Sequence, residues 1–220
     1  MTALSEQRTS NTTVTDIHNL WHIIRGCLQD YMIQESPNGR YARIIAHKCR
    51  QFINAVQKLP DYQQQMQSLQ TQRPFDVPWL RWRIAADSVM EMELVTVFGQ
   101  TPPPIHSYDG PVGIVFVVDG ELSLYRYSEF HNAISGFSSI TRLQCQRLDR
   151  YGVTQGTLVD SLTTPVVEMQ ANTERCIFFD IHLRDHTDPP HYFYYPSYID
   201  PQTQAQGNGT FFANRIHSHW

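Results

Sequence analysis

The hydrophobic periodicity of the chain changes near Pro74, and this change restricts the fold more than any other feature of the sequence. Before Pro74 the apolar residues recur at helical spacing; after it they alternate with polar residues in eight short segments separated by turn-forming residues. The segments read WLRWRIAA, MEMELVTVFG, GIVFVVDG, ELSLYRY, RLQCQRL, GTLVDSL, PVVEMQA and CIFFDIHL. Because no helical segment separates these predicted strands, we expect an antiparallel sandwich or a closed barrel.

The clearest turn in this second part of the chain is the Asp119-Gly120 pair, which stands between two apolar runs in VVDGEL. Asp-Gly is typical of a tight hairpin, because glycine accepts the positive φ that such a turn needs. The sequence therefore predicts a β-hairpin with its turn at Gly120.

Apolar residues at helical spacing predict two amphipathic helices in the first part of the chain. The first begins near Thr15 or Asp16, either of which is a suitable N-cap, and the second lies between the SPNG turn and Pro60. The Gln-rich segment DYQQQMQSLQTQ is interpreted as a third short helix or a linker. The predicted organisation is a polar tail at residues 1–14, helices at 15–73, a barrel at 74–200 and a C-terminal tail at 201–220.

Composition and charge exclude several classes of protein. Only 17% of the 220 residues are charged and the net charge is −4, so we expect neither a long disordered polyelectrolyte nor an electrostatic nucleic-acid binder. No apolar run reaches the roughly 18 residues of a membrane span, and the polar N-terminus lacks the apolar region of a secretion signal. The cysteines have no C-x-x-C spacing, which favours reduced thiols and a cytoplasmic protein.

The segment PPPIHSYDGPVGIVFVVDGELSLYRY carries the most informative motif. A histidine at a strand end, a short turn, Gly113 five residues after Tyr108, and the hairpin glycine Gly120 together resemble the first motif of the cupin superfamily. The usual glutamate of that motif is absent, and a glycine in its place is similar to the pattern of bacterial cysteine dioxygenases and related thiol dioxygenases. The strand FFDIHLRD and the order of helices before the barrel are also similar, so the resemblance covers roughly residues 74–185.

This resemblance implies an all-β cupin (jelly-roll-like) barrel with an N-terminal helical appendage. It also implies a non-heme, metal-dependent oxidoreductase that acts on a small carboxylate-bearing substrate. Two copies of the chain are expected to pair through an edge strand, because barrels of this type often form such homodimers.

The resemblance assigns a metal site to His106 and Glu168. The family's first metal histidine falls on His106, the second position is occupied by Tyr108 and the third by Glu168, so the three-histidine ferrous site is not present as written. An imidazole and a carboxylate with open coordination positions suit Fe(II) or another divalent first-row metal. Tyr108 is then a third ligand or a catalytic hydroxyl.

The resemblance also assigns a proton relay and a substrate clamp. The outer-sphere histidine of thiol dioxygenases falls on His182, with Asp180 on the same face of the predicted strand. An arginine on the first barrel strand of those enzymes holds the substrate carboxylate, and here Arg81 and Arg83 both project from one face of that strand. The alternative interpretation of the two arginines is a solvent-exposed strand face.

Two other functions remain open. In a metal-independent cupin enzyme, such as an isomerase, lyase or cyclase, a buried Glu168 would have a raised pKa and act as general acid or base beside Tyr108. A non-catalytic cupin would bind a small molecule without turning it over. One residue of register decides whether Glu168 or Met169 faces the barrel interior, because successive side chains on a strand point to opposite faces.

Overall fold

The computed structural model describes residues 2–33, 39–71, 79–130, 140–161, 164–184, 192–198 and 210–217. Its contacts divide the chain into two compact units, Met1–Arg73 and Pro74–Trp220. The first unit is helical and the second consists of β-strands.

The helical unit contains α1 (Thr2–Ile33), α2 (Gly39–Val56) and α3 (Pro60–Thr71). The helices α1 and α2 pack on each other, and the rings of Trp21 and Phe52 lie 5.9 Å apart in a tilted arrangement. The predicted polar tail is helical from Thr2 onward, because a polar segment without Gly or Pro can continue a helix although it has no apolar stripe to reveal it. None of the helices in the described residues has a stretch long and apolar enough to span a membrane.

The described residues of the β-unit form eleven strands in two sheets. One sheet has the order β1-β2-β9-β4-β7, and the other, β10-β11-β6-β5-β8-β3, closes on itself as a barrel. The strands are β1 (Trp79–Ala86), β2 (Met90–Phe98), β3 (Ile105–Ser107), β4 (Val112–Asp119), β5 (Leu122–Phe130), β6 (Ile140–Tyr151), β7 (Gly156–Asp160), β8 (Val166–Ala171), β9 (Arg175–Leu183), β10 (Tyr192–Tyr198) and β11 (Thr210–His217).

The strand order is that of a jelly roll. The four strands β2-β9-β4-β7 of the first sheet face the four strands β3-β8-β5-β6 of the second, and the chain crosses repeatedly from one sheet to the other. All strand pairs within the two sheets are antiparallel. The predicted all-β, jelly-roll-like barrel preceded by helices is therefore confirmed.

The predicted C-terminal tail at 201–220 is wrong for the part that forms β11. Strand β11 pairs with β10 and β6, and β10 pairs with β3, so this hairpin joins the two edges of the second sheet. The segment TFFANRIH is short and only weakly alternating, and its tendency to form a strand depends on the two edges available for pairing.

Strands β5 and β8 contribute side chains to two separate apolar cores of the described residues, one on each face of their sheet. The first core lies between the two sheets and includes Leu124 and Val167. The second core contains one buried residue from each of the six strands of the closed barrel. These are Ile105, Tyr127, Leu143, Val166, Tyr194 and Ala213.

We predict that Gly120→Ala destabilises the β-unit by about 1–2 kcal/mol, because Gly120 has a φ of 76° and an L-residue is strained there. A Cβ at this position would also press against the backbone oxygen of Arg175. The measurement is the free energy of unfolding in urea. The matched control is Gly152→Ala, where the nearest atom to a new Cβ is 3.8 Å away; equal losses in both variants would contradict the prediction.

Candidate functional site

A small cavity lies between the two sheets, near the end of β3. Its volume is about 20 Å³, enough for a water molecule but not for a substrate without rearrangement. Apolar side chains of β1, β2, β8 and β9 form part of its wall. The polar residues of the wall are Arg81, His106, Tyr108, Asp109 and Asp180.

His106 enters the cavity wall from β3 as a neutral imidazole. Its Nδ1 lies 2.9 Å from the backbone oxygen of Pro104, and because a carbonyl only accepts hydrogen bonds, Nδ1 carries the proton. Burial lowers the pKa of His106, which keeps the ring uncharged near neutral pH. The lone pair is therefore on Nε2, the form that a general base or a metal ligand requires.

Tyr108 and Asp180 form a buried hydrogen bond across the two sheets. The Tyr108 hydroxyl donates to Asp180 Oδ1 over 2.6 Å. Burial, reinforced by the Asp180 carboxylate, raises the pKa of Tyr108 well above its ordinary value, so the phenol stays protonated. Because its proton is committed to Asp180, the Tyr108 oxygen offers lone pairs to a donor in the cavity.

His182 lies behind this pair on β9. Its Nδ1 is 3.6 Å from Asp180 Oδ1, too long for a hydrogen bond, and has no hydrogen-bond partner among the described residues. Burial favours the neutral ring, but the attraction of Asp180 prevails and raises the pKa of His182. Tyr108, Asp180 and His182 thus form one electrostatically coupled group.

Gly113 allows Tyr108 to reach Asp180. Gly113 is paired with His182 across β4 and β9, and a Cβ at Gly113 would collide with the Tyr108 hydroxyl and lie 2.8 Å from the backbone oxygen of Ile181. The glycine that replaces the cupin glutamate in the sequence motif therefore has a packing reason in this chain.

Arg81 is the cation of the cavity and is held by two carboxylates. Its Nε donates to Glu93 over 2.6 Å, and its guanidinium also pairs with Asp109. Burial lowers the pKa of Arg81, but Asp109 and Glu93 outweigh burial and raise it. Burial likewise opposes ionisation of Asp109, yet Arg81 holds the pKa of that carboxyl below its ordinary value. With 33% of its side chain exposed, Arg81 is accessible from solvent.

Arg83 does not line the cavity, although it lies two residues after Arg81 on β1 and projects from the same face of the strand. Its side chain is 61% exposed and pairs with Glu91, which also accepts hydrogen bonds from Arg184. A surface ion pair of this kind explains Arg83 without a substrate, whereas Arg81 belongs to the cavity.

The structure separates Glu168 from His106, so the predicted pair of metal ligands is not formed. His106 is paired with Val167, a residue of the first core, and the next inward residue of β8 is Met169. Glu168 points to the opposite face, where it accepts hydrogen bonds from Tyr127 over 2.5 Å and from Gln170. The alternation of side chains along β8 thus excludes Glu168 from the cavity as a ligand or as an acid.

The donor set of the cavity does not fit a resident divalent metal ion. His106 supplies one imidazole nitrogen, but Asp109 is paired with Arg81 and Asp180 accepts the Tyr108 proton. The described residues contain no group of three His, Cys, Asp or Glu side chains able to hold a metal. The Arg81 cation also opposes a second positive charge in the same small space.

The sequence analysis missed Asp109 and Glu93 as residues of the site. Both are carboxylates that neutralise Arg81, and neither belongs to the cupin motif. Glu93 could have been found from the sequence, because it lies two residues before Val95 on a predicted strand and so shares its face. In the sheet it pairs with Arg83 on one side and with Asp180 on the other. Asp109 follows Tyr108 in a turn, where strand periodicity gives no information on its direction.

No family model and no curated protein sequence matches this chain. Solved cupin structures do match it at low identity. A cupin superfamily protein from Desulfitobacterium hafniense is 10% identical over 53% of this chain and 87% of its own, with a TM-score of 0.37. A cupin-2 domain protein from Shewanella frigidimarina is 13% identical over 59% and 97%, with a TM-score of 0.37.

Oxalate decarboxylase from Bacillus subtilis, which has Mn(II) centres, is 16% identical over 54% of this chain and 29% of its own, with a TM-score of 0.36. These likenesses are too distant to bear on activity. The fold class rests on the strand order of the two sheets, and the chemistry rests on the residues of the cavity.

We predict that Asp180→Asn lowers the pKa of His182, because burial then meets less opposition. Of the other charged groups near the ring, Asp109 raises the pKa and Arg81 lowers it, and each acts less strongly than burial. NMR titration of the histidine ring protons measures the shift. Glu168→Gln, the same chemical change on the opposite face, should leave His182 unchanged; an unaltered His182 in Asp180→Asn would contradict the coupling.

The same pKa shift has a consequence for stability. A raised pKa in the folded state means that His182 stabilises the wild type at low pH, and this contribution is lost as pH rises through the folded pKa. In Asp180→Asn the sign reverses, so acidification below about pH 6.5 should cost this variant stability that the wild type retains. Urea unfolding at about pH 5 and about pH 8 compares the two proteins.

Proposed function

We propose that this chain is a metal-independent cupin enzyme that performs acid–base chemistry on a small carboxylate-bearing substrate in the cavity between the sheets. The observation that carries the proposal is the meeting, in one cavity, of a neutral imidazole with Nε2 as its acceptor and a Tyr108–Asp180 hydrogen bond. Arg81 in the same wall supplies a cation for the substrate. Buried ionisable groups with shifted pKa values in a cleft are typical of functional sites.

His106 is the proposed general base. A neutral imidazole can take a proton from a carbon or oxygen of the substrate at neutral pH, and the hydrogen bond to Pro104 stabilises the ring as it becomes charged. Tyr108 orients the substrate by accepting a hydrogen bond from it, and Asp180 fixes the phenol. His182 acts through Asp180 and is a positioning residue in this proposal.

Arg81 is the proposed carboxylate-binding residue, and Asp109 occupies it in the absence of substrate. The guanidinium fork suits a carboxylate, and Asp109 presents one to it from an adjacent turn. A substrate carboxylate that replaces Asp109 would keep Arg81 neutralised and open the small cavity on the same side. Isomerisations, eliminations and cyclisations that begin with proton removal all need such a base, so the proposal covers reactions of these types.

Proton removal can be tested before the product is known. Untagged protein is incubated in D2O with a panel of short 2-oxo, 2-hydroxy and unsaturated carboxylates, and NMR follows exchange of their carbon-bound protons. The expected result is exchange of at least one compound by the wild type and a loss of about 100-fold or more in His106→Ala, the range typical of acid–base groups. Tyr108→Phe, which removes the orienting hydroxyl, should show a smaller loss.

Two matched variants keep this test specific. Tyr127→Phe removes the phenol that binds Glu168 on the opposite face, and Glu168→Gln changes that carboxylate itself, so both copy the cavity changes outside the cavity. Both should retain exchange. Loss of exchange in these controls equal to that in Tyr108→Phe would contradict the assignment of the site.

We predict that Asp109→Asn strengthens binding of a simple carboxylate such as acetate by roughly tenfold, equivalent to about 1.4 kcal/mol, because the competing charge on Arg81 is removed. NMR chemical-shift titration measures the affinity. Glu174→Gln, an exposed carboxylate on a turn outside the cavity, should have no effect. Arg81→Gln should abolish binding; weaker binding in Asp109→Asn would contradict the exchange of carboxylates on Arg81.

The oxidoreductase that the thiol dioxygenase resemblance implies is tested by metal analysis. Such an enzyme requires Fe(II) or another first-row metal. That metal needs further ligands besides the His106 Nε2 atom. Near-stoichiometric iron in untagged protein that disappears in His106→Ala would overturn the metal-independent proposal in favour of this one. Carboxylate binding without proton exchange in any compound would identify a non-catalytic binding cupin.

A further inference from the structure

His18 and His22 on α1 form a pair of exposed imidazoles outside the site described above. They are four residues apart and therefore lie on one face of the helix, one turn from each other. Their Nε2 atoms are 3.0 Å apart, and the ring centroids are 4.4 Å apart with the planes at 89°. The rings thus meet at their outer nitrogens and not at their faces.

This separation matches two ligands of one metal ion. Imidazole nitrogens bind divalent first-row metals at about 2.1 Å, so two of them lie about 3.0 Å apart at the right angles of Cu²⁺ or Ni²⁺ geometry and about 3.4 Å apart in the tetrahedral geometry of zinc. A hydrogen bond between two neutral imidazoles gives the same separation, with one N–H pointing at the other ring. A metal ion can take the place of that shared proton with small rotations of the rings and no movement of the helix backbone.

We propose that His18 and His22 bind one divalent transition-metal ion, namely Zn²⁺, Ni²⁺ or Cu²⁺, on the surface of α1. Imidazole suits these metals, and the paired spacing is the one by which helices present two histidines to a metal. The described residues provide no third ligand, so water completes the coordination shell and the ion exchanges freely. The site lies in the helical unit and does not depend on the function proposed for the cavity.

Titration of untagged, full-length protein with Cu²⁺ and Zn²⁺ tests this proposal. Electron paramagnetic resonance of the Cu²⁺ form should show coupling to two nitrogens, and calorimetry with Zn²⁺ should show one ion per chain. His18→Ala and His22→Ala should each weaken binding by roughly tenfold or more, a loss of about 1.4 kcal/mol. Both positions are exposed on a helix, where alanine is well tolerated, so the variants should fold.

Two controls distinguish metal binding by the His18–His22 pair from metal binding by any exposed histidine. His47→Ala removes an exposed histidine on α2 that has Arg43 and Gln51, not histidine, one turn away, and should leave binding unchanged. The double change His22→Asn with Asn19→His keeps the number of histidines but places the second ring next to His18, where adjacent side chains do not face each other. Binding retained in this variant, or in His18→Ala/His22→Ala, would overturn the proposal.

Discussion

The hydrogen bond from Tyr108 to Asp180 is the interaction on which the interior of the β-unit depends. It joins the turn after β3, in one sheet, to the central strand β9 of the other, and it does so where both partners are buried. A buried carboxylate without a donor is costly, so the phenol, the carboxylate and the glycine that makes room for them at Gly113 are mutually required.

Charge balance explains the rest of the cavity. A single guanidinium, Arg81, is compensated by Asp109 at the solvent side and by Glu93 behind it, where burial raises the pKa of Glu93 and Arg81 only partly offsets that effect. The site therefore keeps a cation ready for an anion without leaving it unpaired in the protein interior. A metal ion would have to compete with this arrangement, whereas a carboxylate can enter it by substitution.

Much of this architecture could be predicted from the sequence because it is local. The change of period at Pro74, the Asp119-Gly120 turn and the alternation within each strand depend on neighbouring residues, and the strand order followed the expectation of a jelly roll. The motif around His106 and Tyr108 also led to two residues that line the cavity between the sheets.

The features that could not be predicted depend on which face of a strand a side chain occupies and on partners that are distant in the sequence. Counting from the family pattern led to Glu168 as the inward residue of β8. The alternation of apolar and polar residues along the strand instead favours Val167 and Met169 as inward residues, and the structure has these two in the first core. Asp109 had no periodic signal in its turn, and β11 needed the two open edges of a sheet that the sequence does not display. A contact made across the barrel cannot be read from either strand alone.

The measurement that tests the account most directly is a crystal structure of untagged protein grown with a short carboxylate. The account predicts the carboxylate on Arg81 in the place of Asp109, beside His106 and Tyr108, with Glu168 still bonded to Tyr127 on the other face of the sheet. Density for a metal ion coordinated by His106, or a Glu168 side chain turned into the cavity, would contradict it.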